Sequence, residues 1–256
     1  MRLLRREHRS LEVTDNTVIY DREGSIATLE LNRPQSINAV SQSMRDLMFD
    51  AVTAYSYDSD ALACIIFGRG EKGFCAGADL IEFGKSRSQS ESRSARKRRD
   101  LWGLLANIKK PLIAAVHGYV IGAGLEITSL CDIRIASEDA QFGMPEVAIG
   151  MIPGAGGTQS FPRAIGINHA MRQFLTHRND RMSAQKALKL GLIHMIVPKE
   201  HLFETAKRVA AEITLAGKDA LTAVKTAVLE GLSQPLALGI EMEQRLTSRL
   251  YVNIDR

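Results

Sequence analysis

Residues 111–153, PLIAAVHGYVIGAGLEITSLCDIRIASEDAQFGMPEVAIGMIP, predict a strand, a glycine-rich turn, a helix and a second strand in close succession. The apolar run 112–116 has the length of a buried strand. Three glycines follow between residues 118 and 124, and helical and β-rich patterns then cover 125–130 and 132–136. Alternation of this kind is typical of an α/β fold with parallel strands.

Two carboxylates, Glu126 and Glu146, lie in apolar or glycine-rich sequence within this stretch. Backbone amides at a helix start, together with partly desolvated carboxylates, can stabilise an oxyanion and move protons. Each residue also has a structural interpretation, because the first turn of a helix favours acidic residues and because Glu146 follows a proline that could begin a turn. The two carboxylates together nevertheless predict an acid–base site.

Length and composition indicate an ordinary globular protein. The chain has 256 residues, of which 45% are hydrophobic and 24% charged, so one large domain or a domain with a small appendage is expected. No apolar run reaches the roughly 18–20 residues that span a bilayer. The basic start, MRLLRREHRS, lacks the apolar core of a secretory signal, and we expect a flexible tail over 1–11 rather than the remnant of a transit peptide. The net charge of +4 suits an anionic substrate.

Cysteine and histidine usage argues against disulfides and metal sites. Cys64, Cys75 and Cys131 lie in hydrophobic sequence without a CxxC pair, which predicts buried free thiols in a reducing compartment. We therefore expect a cytoplasmic protein, or a mitochondrial matrix protein if the source is eukaryotic. The six histidines show no spacing typical of a metal site, and the sequence contains no Gly-x-Ser-x-Gly elbow.

The pattern along the chain places strands early and helices late. It predicts a hairpin over 12–34, a helix over 42–57 capped by Ser41, and a buried strand over 62–67. After Pro153 helical patterns dominate, interrupted by a short strand over 193–197. We expect a core over 1–197 and a helical C-terminal region over 198–256.

Two further stretches allow a binding interpretation. Residues 154–157, Gly-Ala-Gly-Gly, lack the residues that complete a Walker or dinucleotide motif, so a tight structural turn is the preferred interpretation. Residues 85–99 are rich in serine and arginine and predict a mobile loop passing into an exposed helix. The basic run Arg93–Arg99 could bind phosphates or RNA, but it lacks interleaved aromatic residues, and a solvated helix face is favoured.

An ordered set of motifs runs along the chain: Asn32-Arg33-Pro34 with Asn38-Ala39, 73–80 (GFCAGADL), 117–126 (HGYVIGAGLE), 131–134 (CDIR), 142–146 (FGMPE) and 152–158 (IPGAGGT). Together these motifs resemble the enoyl-CoA hydratase/isomerase (crotonase) superfamily over about residues 15–256. The resemblance implies a spiral of ββα units with a helical C-terminal trimerisation region, packed as a homotrimer or homohexamer. Relatives usually continue beyond the position of Arg256 by about a further helix that helps cover the CoA end, so this tail is either truncated or lies beyond the given sequence.

The resemblance also implies catalytic roles. In the family a thioester carbonyl lies between two backbone amides, which correspond here to Ala78 and Ala123, and each can stabilise the enolate by about 3 kcal/mol. Many relatives have glycine at position 123, and alanine supplies the same amide. Hydratases of the family have glutamate at both carboxylate positions, whereas many isomerases keep only the second. Glu126 and Glu146 are both present, so the resemblance implies an enoyl-CoA hydratase.

The remaining expectations concern coenzyme A. The resemblance places the backbone of 75–80 at the adenine and Lys72 near the phosphates. Arg33 is a candidate second cation, although its place at a strand end also has a structural interpretation. Several relatives have a lysine where this chain has Ile81. The expected acyl pocket involves residues between Ile81 and Leu105. The partner is an acyl-CoA thioester, with no membrane and no nucleic acid, and no metal or other cofactor is expected. The expected substrate-binding residues are Lys72, Cys75, Ala76, Gly77, Asp79, Leu80, Gly122 and Gly124.

Three alternative functions stay open on the sequence. Double-bond isomerisation proceeds through the same enolate and needs the same amides. Hydration of a branched or aromatic acyl-CoA differs only in the acyl pocket. A non-catalytic RNA-binding protein that uses Arg93–Arg99 predicts salt-dependent RNA binding and no loss of function when Glu126 is replaced.

Overall fold

A computed structural model of the chain describes residues 16–83, 99–176 and 181–254. The tail expected over 1–11 and most of the serine- and arginine-rich stretch, including 93–98, lie outside these ranges. Arg99 is described, and its guanidinium donates to the Asp46 carbonyl oxygen at 3.1 Å and pairs with Asp50 at 2.9 Å. The last residue of the basic run therefore contacts the first long helix.

A six-stranded sheet forms the centre of the described structure. Its order is β1-β2-β3-β4-β6-β9, with an antiparallel first pair and parallel pairing throughout the rest. The strands are β1 (Val18–Glu23), β2 (Ile26–Leu31), β3 (Ala63–Gly68), β4 (Leu112–Val116), β6 (Ile133–Ser137) and β9 (Met195–Val197). The hairpin and the two buried strands expected from the sequence are confirmed.

A second, three-stranded sheet has the order β5-β7-β8. It consists of β5 (Tyr119–Ile121), β7 (Gln141–Gly143) and β8 (Met182–Ser183). Strand β5 follows β4 after only two residues, and β7 follows β6 after three. In each case the first strand belongs to the six-stranded sheet and the strand that follows it belongs to the three-stranded sheet.

Ten α-helices surround the sheets in the described ranges. Helix α1 begins at the expected cap, where the Ser41 hydroxyl oxygen accepts the Met44 N–H at 3.1 Å. The helices are α1 (Gln42–Tyr57), α2 (Leu80–Phe83), α3 (Leu101–Asn107), α4 (Ala123–Leu130), α5 (Gly157–Ile165), α6 (Ile167–Leu175), α7 (Ala184–Lys189), α8 (Leu202–Thr214), α9 (Lys218–Gly231) and α10 (Leu236–Ile254). None of the described helices combines the length and apolar character needed to cross a bilayer.

The large sheet is covered on both faces, and this explains its apolar sequence. All five residues of β4 are buried, as expected of a parallel strand with helices on each side. One face belongs to the main core with α1 and α3, and the other packs against Leu202, Ala206 and Ala210 of α8. The expected α/β class with helices after residue 198 is confirmed. The division of the chain into 1–197 and 198–256 stays a prediction.

A buried ion pair attaches α9 to the large sheet. The Lys225 ammonium donates to Asp132 Oδ2 and to the Lys110 carbonyl oxygen, at 2.7 and 2.9 Å. The same Asp132 oxygen accepts the Leu112 N–H at 2.7 Å, so the pair joins the start of β4 to the helix. The Lys225 side chain is only 8% exposed, which makes the loss of either partner costly.

Replacing Lys225 with methionine is expected to lower the free energy of unfolding by about 2–4 kcal/mol, because a partly buried carboxylate loses its counter-ion. Urea denaturation at one fixed protein concentration measures the change. Lys207→Met is the matched control, since Lys207 pairs with Glu23 at 3.7 Å near the surface and should change stability by less than about 1 kcal/mol. Equal losses in the two variants would contradict the role assigned to the buried pair.

Candidate functional site

Two turns from distant parts of the sequence lie side by side at the start of α4. Cys75 and Val120 form an isolated parallel bridge, in which the Cys75 amide and carbonyl bond to Tyr119 and Ile121 at 3.0 and 2.9 Å. Two residues after the bridge, the two segments reach the Gly77–Ala78 and Gly122–Ala123 peptides. A Cβ atom placed on Gly122 would lie 3.6 Å from the Gly77 Cα atom, so the two peptides are neighbours.

The Ala78 N–H points away from Val40, the residue that bonds to the carbonyl oxygen of the same peptide. The Gly77 carbonyl oxygen accepts the Val40 N–H at 2.8 Å. Because the C=O and N–H of a trans peptide point in opposite directions, the Ala78 N–H is directed to the other side of the peptide. Within the described ranges this N–H donates to no protein acceptor.

The Ala123 amide is directed by the helix that it begins. Gly122 is the residue before α4, and its carbonyl oxygen accepts the Glu126 N–H at 2.9 Å. The Ala123 N–H therefore projects from the N-terminal end of the helix, where backbone donors are free and the helix dipole is positive. No acceptor for it is found among the residues that the structure describes. Two adjacent peptides thus present unused N–H donors.

Glu126 is held by two backbone amides from the glycine-rich turn at 154–157. Its Oε1 atom accepts the N–H groups of Ala155 and Gly157, at 2.7 and 2.9 Å. Gly157 is also the first residue of α5, so the carboxylate lies at a helix N-terminus. The side chain is 3% exposed, and these contacts stabilise its ionised form. The turn interpretation of 154–157 is confirmed, but the sequence did not indicate that this turn holds Glu126.

The Gly157 position has no room for a side chain. A Cβ atom there would lie 2.8 Å from Glu126 Oε1 and 2.9 Å from Pro153 Cβ. The absence of a Cβ lets the α5 backbone approach the carboxylate closely enough to donate.

Glu146 has a different environment, beside the Gly122–Ala123 peptide. Its Oε1 atom lies 2.8 Å from the position of a Cβ on Gly122, whose φ of +50° also favours glycine. Its Oε2 atom is buried and has no hydrogen-bond partner within the described ranges. Burial raises the pKa of Glu146 to about 7; its own amide opposes this shift, and the negative charge of Glu126 adds to it.

The two carboxylates are therefore unlike each other. Two N–H donors favour the ionised form of Glu126, whereas burial raises the pKa of Glu146 to about 7, so that its carboxyl group is part protonated near neutral pH. Such a pair can carry one proton between them, next to two amides that can accept a developing oxyanion. Within the ranges described there is no cluster of three or more side chains able to hold a metal ion.

Residues 21–255 match the enoyl-CoA hydratase/isomerase family. The chain belongs to this family. The family match and the similar solved structures also confirm the fold expected from the resemblance.

Two curated members of the enoyl-CoA hydratase/isomerase family illustrate the similarity in sequence. The chain is 36% identical over 249 residues to the short-chain-enoyl-CoA hydratase of Clostridium acetobutylicum, covering 94% of this chain and 92% of that protein. It is also 36% identical over 227 residues to the crotonyl-CoA hydratase of Syntrophomonas wolfei, covering 88% and 86%. Among solved structures, the enoyl-CoA hydratase of Bacillus anthracis superposes with a TM-score of 0.85 at 33% identity, covering 91% of this chain and 90% of that one.

The coenzyme A contacts that the family resemblance implies stay predictions. In the structure some backbone groups of residues 75–80 already bond to other parts of the protein, which leaves fewer of them for the coenzyme. The Cys75 amide and carbonyl already bond to β5, and the Ala76 amide donates to the Ile37 carbonyl oxygen at 2.8 Å. Lys72 and Leu80 are exposed at the two ends of the expected segment. Gly124 packs against Cys75 instead, because a Cβ there would lie 2.7 Å from Cys75 Cβ.

Arg33, the possible second cation for the coenzyme, has internal partners. Its guanidinium donates to the Ala39 carbonyl oxygen at 2.5 Å and to Asp79 Oδ2 at 3.0 Å. Asp79 directly follows Ala78 and was expected in the substrate-binding segment. Its carboxylate is occupied by Arg33 and by the Ile81 N–H at 3.2 Å. The structure thus assigns both side chains to contacts within the protein.

Proposed function

We propose that this chain adds water across the 2,3-double bond of an α,β-unsaturated acyl-CoA thioester and gives the 3-hydroxyacyl-CoA. The observation that carries the proposal is the unequal environment of Glu126 and Glu146 beside the two unused amides. Family members named short-chain-enoyl-CoA hydratase and crotonyl-CoA hydratase support a hydration reaction.

The thioester carbonyl oxygen accepts the N–H groups of Ala78 and Ala123. Attack of water at Cβ makes the carbonyl an enolate, so negative charge develops on the oxygen that both amides contact. Prepositioned donors are worth more in this transition state than in the ground state, and removal of one costs about 10²- to 10³-fold in rate. The positive end of α4 adds to the stabilisation.

Glu126 orients and activates the water. Its carboxylate is held in one orientation by the Ala155 and Gly157 N–H groups, and in its ionised form it can accept a proton from the water. Glu146 delivers a proton to Cα, because its pKa, raised to about 7, leaves a large fraction of the carboxyl group protonated near neutral pH. At the end of the reaction the proton lies on Glu126 and Glu146 is ionised, so the pair carries one proton in both directions.

The reaction needs neither a metal ion nor a redox cofactor, since amides and carboxylates supply all the charge stabilisation and proton transfer in this scheme. For coenzyme A we propose contacts from the exposed Lys72 to the phosphates and from the Ala76 carbonyl region and Leu80 to the adenine. The identity of the acyl group depends on residues between Ile81 and Leu105, of which 84–98 lie outside the described ranges.

We further propose that the protein forms a homotrimer or homohexamer in a reducing compartment, the cytoplasm or the mitochondrial matrix. Large apolar side chains on α6, α9 and α10 are exposed in the single chain, which supports burial against other copies. The cysteines Cys64, Cys75 and Cys131 are buried free thiols, which supports the compartment. The exposed apolar residues include Ile167, Met171, Leu175, Val224, Val228, Leu232, Leu236 and Tyr251.

The purified protein is expected to hydrate crotonyl-CoA with a kcat of about 1–10³ s⁻¹, as measured by loss of the enone absorbance. A 3-enoyl-CoA of similar length is assayed in parallel for double-bond migration. The double variant Glu126→Gln, Glu146→Gln, purified identically, controls for a contaminating hydratase. Migration of the double bond without hydration would contradict the proposal and indicate an isomerase.

A further inference from the structure

The geometry points to Arg33 and Asp79 as a positioning pair that fixes the direction of the Ala78 N–H. This inference rests on the proposed function, in which that N–H binds the thioester oxygen. Neither side chain touches the reacting atoms in this scheme. Both act through the backbone segment that carries Ala78.

That segment is held outside both sheets. Val40 donates to the Gly77 carbonyl oxygen at 2.8 Å and accepts the Asp79 N–H at 3.0 Å, which gives one isolated bridge between Val40 and Ala78. The same two segments share one further backbone bond, from the Ala76 N–H to the Ile37 carbonyl oxygen at 2.8 Å, but no extended ladder keeps the bridge in register. The direction of the Ala78 N–H therefore depends on the contacts that keep the Val40 and Ala78 segments together.

Arg33 closes the bridge from the side. One guanidinium nitrogen donates to the Ala39 carbonyl oxygen at 2.5 Å, next to Val40, and another donates to Asp79 Oδ2 at 3.0 Å, next to Ala78. The fork thus joins the two segments of the bridge to each other. The side chains of Arg33 and Asp79 are only 19% and 12% exposed, so water screens the pair weakly.

Arg33 is itself anchored by a buried amide side chain. The Asn38 Oδ1 atom accepts the Arg33 N–H at 2.8 Å, and Nδ2 donates to the carbonyl oxygens of Arg69 and Phe74 at 2.9 and 3.0 Å. Asn38 is fully buried and has a φ of +52°, a conformation that asparagine tolerates better than most residues. This anchor connects the Arg33 backbone to the chain that leads into Gly77.

The direction of the Ala123 N–H does not depend on a comparable pair of side chains. Its direction follows from the first turn of α4, where the Gly122 carbonyl oxygen bonds to the Glu126 N–H. Of the two proposed oxyanion donors, only Ala78 depends on side-chain contacts. Loss of the Arg33–Asp79 pair should therefore weaken one donor and leave the other in place.

The test compares Arg33→Gln, Asp79→Asn and the double variant with the wild type. Each single variant is expected to lower kcat for crotonyl-CoA by about tenfold or more, less than complete loss of a donor, with little change in KM. The double variant should lose no more than the worse single variant, because both changes remove one interaction.

A spectroscopic readout separates positioning from simple destabilisation. Butyryl-CoA labelled with ¹³C at the thioester carbonyl cannot be hydrated, and donation from both amides lowers its bound carbonyl stretching frequency. In the Arg33 and Asp79 variants the frequency should return toward the value in water. This measurement needs binding alone, so it tests the pair even if the wild type fails to hydrate crotonyl-CoA.

Arg69→Gln is the matched control, because the Arg69 guanidinium pairs with Glu30 of β2 rather than with Asp79 or Ala39. It should leave kcat and the carbonyl frequency unchanged. Wild-type frequency and kcat in Arg33→Gln and Asp79→Asn would overturn the inference. If both variants fail to fold, by circular dichroism, the pair is structural and the inference is equally overturned.

Discussion

Replacement of Glu146 by glutamine is expected to lower kcat for crotonyl-CoA hydration by about 10²- to 10⁴-fold. Glutamine keeps the shape of the side chain beside Gly122, but it cannot supply a proton to Cα. The variant should still bind butyryl-CoA, because the Ala78 and Ala123 amides are unchanged. Steady-state hydration kinetics together with calorimetric binding of butyryl-CoA measure the two effects separately.

The pH dependence provides a second expectation for Glu146. Its pKa is raised to about 7, so the pair with one proton loses that proton as the pH rises above about 7, and kcat/KM should fall there. The ratio of hydration to dehydration at equilibrium does not change with pH for this reaction, which neither releases nor consumes protons. Both directions should therefore show the same alkaline limb, as expected if the pair carries one proton in each.

Glu138→Gln is the control for this experiment, since Glu138 is exposed and lies between β6 and β7. It should keep both the rate and the pH profile of the wild type. Near-normal hydration by the Glu146→Gln variant would contradict the assignment of Glu146. The assignment would also be contradicted if the residual activity of the Glu146→Gln variant still fell above about pH 7, as the wild-type activity is expected to do.

The sequence was sufficient for most of the fold because its signals are local. The alternation of 26–31, the cap at Ser41 and the apolar run of β4 each specify one element from its own residues. The start of one C-terminal helix differs from the expected position, because a proline precedes it. The helical region expected from 198 begins as a 3₁₀ turn over Lys199–His201 after Pro198, and α8 starts at Leu202.

The candidate site was predictable only in part, because its chemistry depends on contacts between distant residues. The apolar and glycine-rich surroundings of Glu126 and Glu146 indicated an acid–base site, and the family resemblance implied the Ala123 amide. No local pattern shows that Ala155 and Gly157, about thirty residues after Glu126, donate to its carboxylate. The raised pKa of Glu146 likewise arises from burial, which forms only in the folded chain.

Arg33 illustrates the same limit in the opposite direction. From the sequence it is a candidate second cation for the coenzyme phosphates, with a structural role at the end of a strand as the alternative. In the structure its guanidinium bonds to Asp79, forty-six residues later in the chain. A charge pattern alone does not distinguish a residue that binds the substrate from one that positions the backbone around it.

Replacement of Glu126 by alanine is expected to reduce crotonyl-CoA hydration by about 10²- to 10⁴-fold, because the water loses its base. It should also lower stability by about 1–3 kcal/mol, since the Ala155 and Gly157 N–H groups lose their acceptor in a buried site. Glu126→Gln separates the effects, because its amide oxygen can still accept both N–H groups while it can no longer act as the base.

The Glu126→Gln variant should therefore fold with near wild-type stability, fail to hydrate crotonyl-CoA, and still exchange the Cα protons of butyryl-CoA with D₂O. Exchange needs only the two amides and Glu146, so it reports on the part of the site that this change leaves intact. NMR of butyryl-CoA in D₂O measures the exchange, and Glu146→Gln should abolish it. Hydration retained in both Glu126 variants would indicate that water is activated elsewhere, and loss of exchange in Glu126→Gln would contradict the separate roles of the two carboxylates.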